Sequence, residues 1–148
     1  MGNLVDYVTS LHTATARSYI ERMNDNKIEC MIEAKKYGKE YWDGDRRFGY
    51  GGYKYLKGRW KPVAEILINK YNLNNSSSVL DIGCGKAFLL YEMKLILPDL
   101  KVTGIDSSEY AVNNCKDEIK SNVFLHKAED KYPFSDDQFD LVFSINTL

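Results

Sequence analysis

Two patterns of apolar spacing divide the chain. In its first third, Leu4, Val8, Leu11 and Tyr19 recur at roughly helical intervals, and Ile28, Met31, Ile32 and Tyr37 do so again. Steps of three and four place side chains on one face of a helix. The spacing predicts a helix over residues 3–23 with Asn3 as its cap. A second helix follows, capped by Asp25 or Asn26 and ended by Gly38. Residues 41–53 are rich in glycine and aromatic side chains and have no period, which predicts a structured loop. Pro62 then suits the first turn of a third helix carrying Val63, Ile66 and Leu67, and a polar run over 72–78 closes it.

From Val79 onward, short apolar runs alternate with helical ones. Strands are predicted at 79–82, 102–106, 123–126 and 139–145. A helix spans 87–97 before Pro98, and another runs from a Ser107 or Ser108 cap to about residue 120. Strands separated by helices imply parallel βαβ units and an open, doubly wound α/β sheet. The expected architecture is a mostly parallel sheet of about four strands behind an N-terminal helical cap. Residues 1–60 would form the helices and loop, and residues 61–148 the core. The fourth strand would leave an apolar edge of the kind soluble proteins cover. A further segment or a second chain is expected against it.

Composition narrows the classes. Twenty basic and twenty-one acidic side chains leave a net charge of −1, so no global field draws the chain to nucleic acid or an anionic membrane. Cys30, Cys84 and Cys115 are sparse, odd in number and not in metal-ligand spacing. That pattern argues against a disulfide framework and a metal site, and for a reducing, cytoplasmic setting. No apolar run approaches the ~20 residues of a membrane helix.

Candidate chemistry begins at Asp81-Ile82-Gly83-Cys84-Gly85-Lys86-Ala87. Two glycines one residue apart let the backbone turn sharply and approach a ligand. The position, between a strand's carboxyl end and a helix, is where open α/β sheets bind nucleotides. A dinucleotide fingerprint would need Gly or Ala at the sixth position, where Phe88 stands, and its pyrophosphate would meet the Asp81 carboxylate. The sign of Asp81 instead suits a cationic ligand. Asp106 ends the second strand 25 positions later, where an acidic residue can accept from both ribose hydroxyls. A helix cap is its structural alternative.

The stretch from Val79 to Gly85 resembles the first motif of class I, Rossmann-like S-adenosylmethionine-dependent methyltransferases, with Ala87 in place of the motif's last glycine. The resemblance implies a Rossmann-like fold and S-adenosylmethionine as methyl donor, with S-adenosylhomocysteine as product. It also implies that Asp81, Gly83, Cys84 and Gly85 hold the methionyl end, and Asp106 with Ser107 the ribose. The segment Ala128-Glu129-Asp130-Lys131-Tyr132-Pro133-Phe134, continuing to Phe139-Asp140-Leu141-Val142, resembles a later family motif. Lys127 stands where relatives often carry Asp, so Ala128 and Glu129 are expected at the adenine. The resemblance also implies that Ser144 begins the lip that faces the reactive methyl group and the substrate. The catalytic residues are not identified by these motifs.

Tyr50 and Tyr53, among glycines, are expected either to close over cofactor and substrate as a lid or to pack the N-terminal helices on the sheet. Such a lid favours a small-molecule acceptor. Arg46-Arg47-Phe48-Gly49-Tyr50-Gly51 loosely matches an RNA-stacking strand, but the rest of that fold's pattern is missing. A non-enzymatic module that keeps the fold as a scaffold is the competing class. His12 and His126 have no partner at useful spacing and receive no role.

Overall fold

The computed structural model describes residues 5–13 and 26–147, except the side chains of residues 10 and 12. Helix α1 is Thr9–Thr13, α2 Lys27–Ala34, α3 Lys39–Asp43 and α4 Lys61–Lys70. Strand β1 (Ser78–Ile82) leads to α5 (Phe88–Ile96), β2 (Lys101–Asp106), α6 (Glu109–Asn113) and a 3-10 turn at Asp117–Asn122. Strands β3 (Val123–Leu125) and β4 (Leu141–Phe143) complete the sheet.

All pairings are parallel, in the order β3-β2-β1-β4. The chain goes from β1 to one side for β2 and β3, then returns to its other side for β4. This reversal makes the carboxyl end of β1 a topological switch point, where a crevice opens outside the strands. Register aligns Ile82 with Ile105, Asp106 with Leu125 and Asp81 with Phe143, so the loops that follow share one rim. Val79, Leu90, Met93 and Leu100 are fully buried behind that rim, and α4 adds Val63, Ala64, Leu67 and Ile68. Val142 on β4 and Phe124 on β3 are about half exposed at the two edges. No helix among the described residues is long and apolar enough to cross a membrane.

The doubly wound parallel sheet and its helical cap are as expected, but several boundaries are not. The first helix begins at Thr9, whose N–H is taken by Asp6 Oδ1 at 2.9 Å. The proposed Asn3 cap, Tyr19 and Asp25 lie outside the described residues. Gly38 starts a helix instead of ending one. Helix α2 stops at Ala34, Tyr37 takes φ +47°, and the Gly38 carbonyl accepts from Tyr41 and Trp42 at 3.1 and 3.3 Å. That extra turn, α3, lies inside the segment expected to be a loop. It exists to carry Trp42, 6% exposed, into the interior, so packing outweighs local pattern. The helix expected to reach residue 120 ends at Asn113, where the Asn114 side chain and N–H both bond the Tyr110 carbonyl, at 2.8 and 3.1 Å. Strands β3 and β4 have three residues each, shorter than expected.

Candidate functional site

The turn after β1 contains three left-handed residues, Gly83 at φ +77°, Gly85 at +57° and Ala87 at +54°. Gly83 and Cys84 both donate to the Ile105 carbonyl, at 2.8 and 3.0 Å, and Gly85 N–H donates to Asp106 Oδ2 at 2.7 Å. The glycine loop is thereby folded onto the end of β2. A Cβ on Gly83 would fall 2.1 Å from Thr147 Oγ1, and one on Gly104 would fall 2.8 Å from Cys84 Sγ. Gly83→Ala is therefore expected to lower stability by roughly 1–3 kcal/mol through backbone strain and crowding. Urea denaturation checks this, and a midpoint equal to wild type would count against it.

Asp106 is 9% exposed, and its other oxygen accepts from Ser108 N–H at 2.8 Å. Burial raises its pKa, although the hydrogen bonds from Ser108 and Gly85 act the other way. Ser108, not Ser107, caps α6, its Oγ accepting from Ala111 N–H at 3.0 Å. Asp81 is 4% exposed, and no described residue donates to its carboxylate. Burial and the nearby Asp106 charge push its pKa up to about 8. Burial also raises the Cys84 thiol well above its ordinary value, which makes it a poor nucleophile.

Aromatic rings roof this loop. Trp42 stacks on Tyr50 with centroids 5.1 Å apart, and Tyr53 stacks on Phe88 at 5.1 Å. The Trp42 indole N–H is shared between Ser108 Oγ at 2.9 Å and the Tyr37 carbonyl at 3.1 Å. A Cβ on Gly85 would lie 2.8 Å from Trp42, so glycine and indole are in close apposition. Burial, first, and neighbouring ionisable groups raise the Tyr53 hydroxyl above its ordinary range.

Two adjoining cavities result. The larger, about 330 Å³, is lined in part by Asp106, Ser107, His126, Ala128 and Glu129. The smaller, about 100 Å³, is lined in part by Asp81, Cys84, Gly85, Tyr53 and Arg59. Trp42, Tyr50, Gly83, Ile145 and Asn146 line both. The sequence-derived candidates are thus brought together, except Ser144. That residue is exposed and faces a third, open cavity of about 530 Å³ shared with Val5, Tyr7 and Val8. Ile145 and Asn146 reach all three cavities. Glu129 is exposed and lies 3.9 Å from Lys127, a weak surface pair.

The motifs missed Trp42, Arg59, His126 and Asn146 as lining residues. His126, given no role from sequence, lines the larger cavity, and its buried Nε2 has no hydrogen-bond partner in the described structure. Among the described residues no cluster suits a metal ion.

A parallel α/β sheet with an acid-flanked glycine loop at its switch point is the Rossmann-like architecture. The model of a family described as a methyltransferase domain matches residues 73–148. The chain belongs to that family, as a class I, S-adenosylmethionine-dependent member. Ribosomal RNA small subunit methyltransferase G of Lactococcus lactis subsp. lactis is 42% identical over 59 residues, 40% of this chain and 24% of that protein. Among solved structures, coclaurine N-methyltransferase bound to N-methylheliamine and SAH is 16% identical. It aligns with 93% of this chain and 45% of its own, at a TM-score of 0.50. An SAM-dependent methyltransferase from Aquifex aeolicus is 29% identical over 60% of this chain and 51% of its own, at a TM-score of 0.45. The chain spans only 24% of that curated relative and about half of those structures.

Proposed function

We propose that this chain binds S-adenosylmethionine and takes part in methyl transfer to a small-molecule acceptor by in-line displacement, with S-adenosylhomocysteine as product. The observation that carries this reading is Asp81, a buried carboxylate with no donor among the described residues, facing a cavity beside a glycine turn. Such a group is stabilised by a cation and opposes a pyrophosphate. Arg59 lines the same cavity, so the pair suits a zwitterion, Asp81 taking an ammonium and Arg59 a carboxylate.

In this assignment the loop of Gly83, Cys84 and Gly85 holds the methionyl end, and Tyr53 closes over it. Asp106 and Ser107 hold the ribose, and Ala128 and Glu129 border the adenine. The Trp42–Tyr50 stack stands where the two cavities meet, and aromatic faces there favour a positive centre. When bound, S-adenosylmethionine supplies a methyl group already activated by its sulfonium charge, so a general base is optional. The chain's contribution is alignment and exclusion of water. The third cavity, open beside Ile145 and Asn146, is of small-molecule size. We assign it to the acceptor, with Ser144 at its lip. Residues 1–60 act as the cap and lid in this reading, and residues 61–148 as the cofactor core.

The dinucleotide alternative is disfavoured by Phe88, whose buried ring starts α5 and stacks on Tyr53. Calorimetric titration tests the assignment. S-adenosylhomocysteine is expected to bind saturably and NAD not at all. Asp106→Ala is expected to weaken the former by tenfold or more, through loss of ribose contacts and of the carboxylate that folds the loop. Binding of NAD, or unchanged affinity in Asp106→Ala, would sink it. A non-catalytic scaffold of the same fold would bind the cofactor yet show no methyl transfer to any acceptor.

A further inference from the structure

Lys86 lines neither cofactor cavity, yet its ammonium is buried and fully bonded. It stands between Gly85 and Ala87 at the tip of the turn, with its side chain 5% exposed. Its ammonium bonds Asp43 Oδ1 at 2.9 Å, Asp43 Oδ2 at 2.7 Å and the Tyr53 carbonyl at 2.9 Å. An ammonium has three donors, and all three are used. Asp43, at the end of α3, also accepts from Tyr53 N–H at 3.1 Å and from the Tyr110 hydroxyl at 2.8 Å. The Tyr53 backbone is therefore tied to the glycine loop through its carbonyl and to the end of α3 through its N–H. Its N–H also reaches the Trp42 carbonyl at 2.9 Å, beside parallel bonds from Tyr50 to Tyr41 and Gly52 to Trp42.

This polar network joins three segments far apart in sequence: the glycine loop, the aromatic segment and α6. Separating the Lys86–Asp43 pair leaves the buried Lys86 charge poorly solvated until water enters. We infer that Lys86 is a positioning residue, latching the aromatic segment to the glycine loop through Asp43 and Tyr53, and so setting how long the cofactor stays bound. The inference rests on the cofactor assignment above. Cofactor exit requires the aromatic roof to lift, and lifting requires the Lys86–Asp43 pair to part.

The test combines amide hydrogen exchange on the ligand-free protein with stopped-flow dissociation of S-adenosylhomocysteine. Variants are Lys86→Met, Lys86→Arg, Asp43→Asn and the milder Tyr110→Phe, each checked for folding by thermal melt. Amides at Tyr50, Gly52 and Tyr53 are expected to exchange at least tenfold faster in Lys86→Met or Asp43→Asn, while those of β1 stay protected. Dissociation is expected to quicken about tenfold with association little changed. Tyr110→Phe should show the same changes at smaller size, and Lys86→Arg should recover part of the loss. A contact that only stabilises the fold would lower the melting temperature without this selective exchange. Folded Asp43→Asn or Tyr110→Phe protein with wild-type exchange at residues 50–53 overturns the latch. Faster exchange there, with no ligand bound by wild type, overturns the cofactor assignment and the residence-time role with it.

Discussion

Asp81→Asn is expected to make the ligand-free protein more stable and S-adenosylhomocysteine binding at least 100-fold weaker. The two effects share one cause. In the folded chain the Asp81 carboxyl titrates near pH 8, against an ordinary value near 3.8. Between those limits the folded state holds a proton that the unfolded state has released, so stability falls as pH rises through the window. The slope is bounded by about 1.4 kcal/mol per pH unit, and the loss is complete above pH 8. Asn has nearly the same shape and no charge to bury, so the variant should lose this slope. Its advantage should be absent near pH 4 and amount to a few kcal/mol at pH 8.

Binding reverses the sign. A ligand ammonium beside Asp81 favours the carboxylate, so wild-type binding releases a proton and tightens as pH rises towards 8. Asn offers the ammonium a neutral oxygen, and a factor of 100 corresponds to about 2.7 kcal/mol, within the range for a charge-assisted contact in a buried site. Melting curves from pH 5 to 9 and titrations at pH 6, 7 and 8 measure both effects. A variant no more stable than wild type at pH 8 would show that Asp81 carries no buried charge. An affinity equal to wild type would show that it does not face the ammonium.

How legible such a site is depends on whether its signal is local. The strands around Asp81 and Asp106 were readable because short apolar runs between helical ones fix both type and order. A carboxylate at a strand tip beside glycines also keeps its meaning in any α/β sheet. Gly83 and Gly85 marked a sharp turn, and both take left-handed backbone there. Ala87 is left-handed too, although its identity conceals it. The Lys86–Asp43 pair was out of reach, since 43 positions separate its members and only the folded chain joins them. Gly38 misled because glycine after a helical run usually ends a helix, while here the next turn is pulled inward by an indole. His126 had no partner in sequence because the cavity wall it joins is assembled from the segment after β3, the rim after β4 and the aromatic rings of residues 37–50.

That indole supplies the other large effect. Trp42→Ala should destabilise the fold by roughly 3–5 kcal/mol, the usual range for removing a buried tryptophan. For a chain of this length that is a fall in melting temperature on the order of 10 °C. The ring stacks on Tyr50, abuts Gly85 and donates to Ser108 and Tyr37. Its loss therefore frees α3, the aromatic segment and the start of α6 together. It also removes the wall shared by the two cavities, so S-adenosylhomocysteine affinity should fall more than the thermal loss alone implies. Trp42→Phe separates the two contributions, because it keeps an aromatic face but not the donor. Ser108 Oγ still bonds the Tyr37 carbonyl, so no oxygen is stranded and the phenylalanine variant should lose only about 1–2 kcal/mol. Affinity in Trp42→Phe should stay within about tenfold of wild type if the ring face, not the indole N–H, is what the bound cation meets. Equal losses of affinity in both variants would assign the role to the hydrogen bond instead, and a melting temperature unchanged in Trp42→Ala would remove Trp42 as the keystone of the cap.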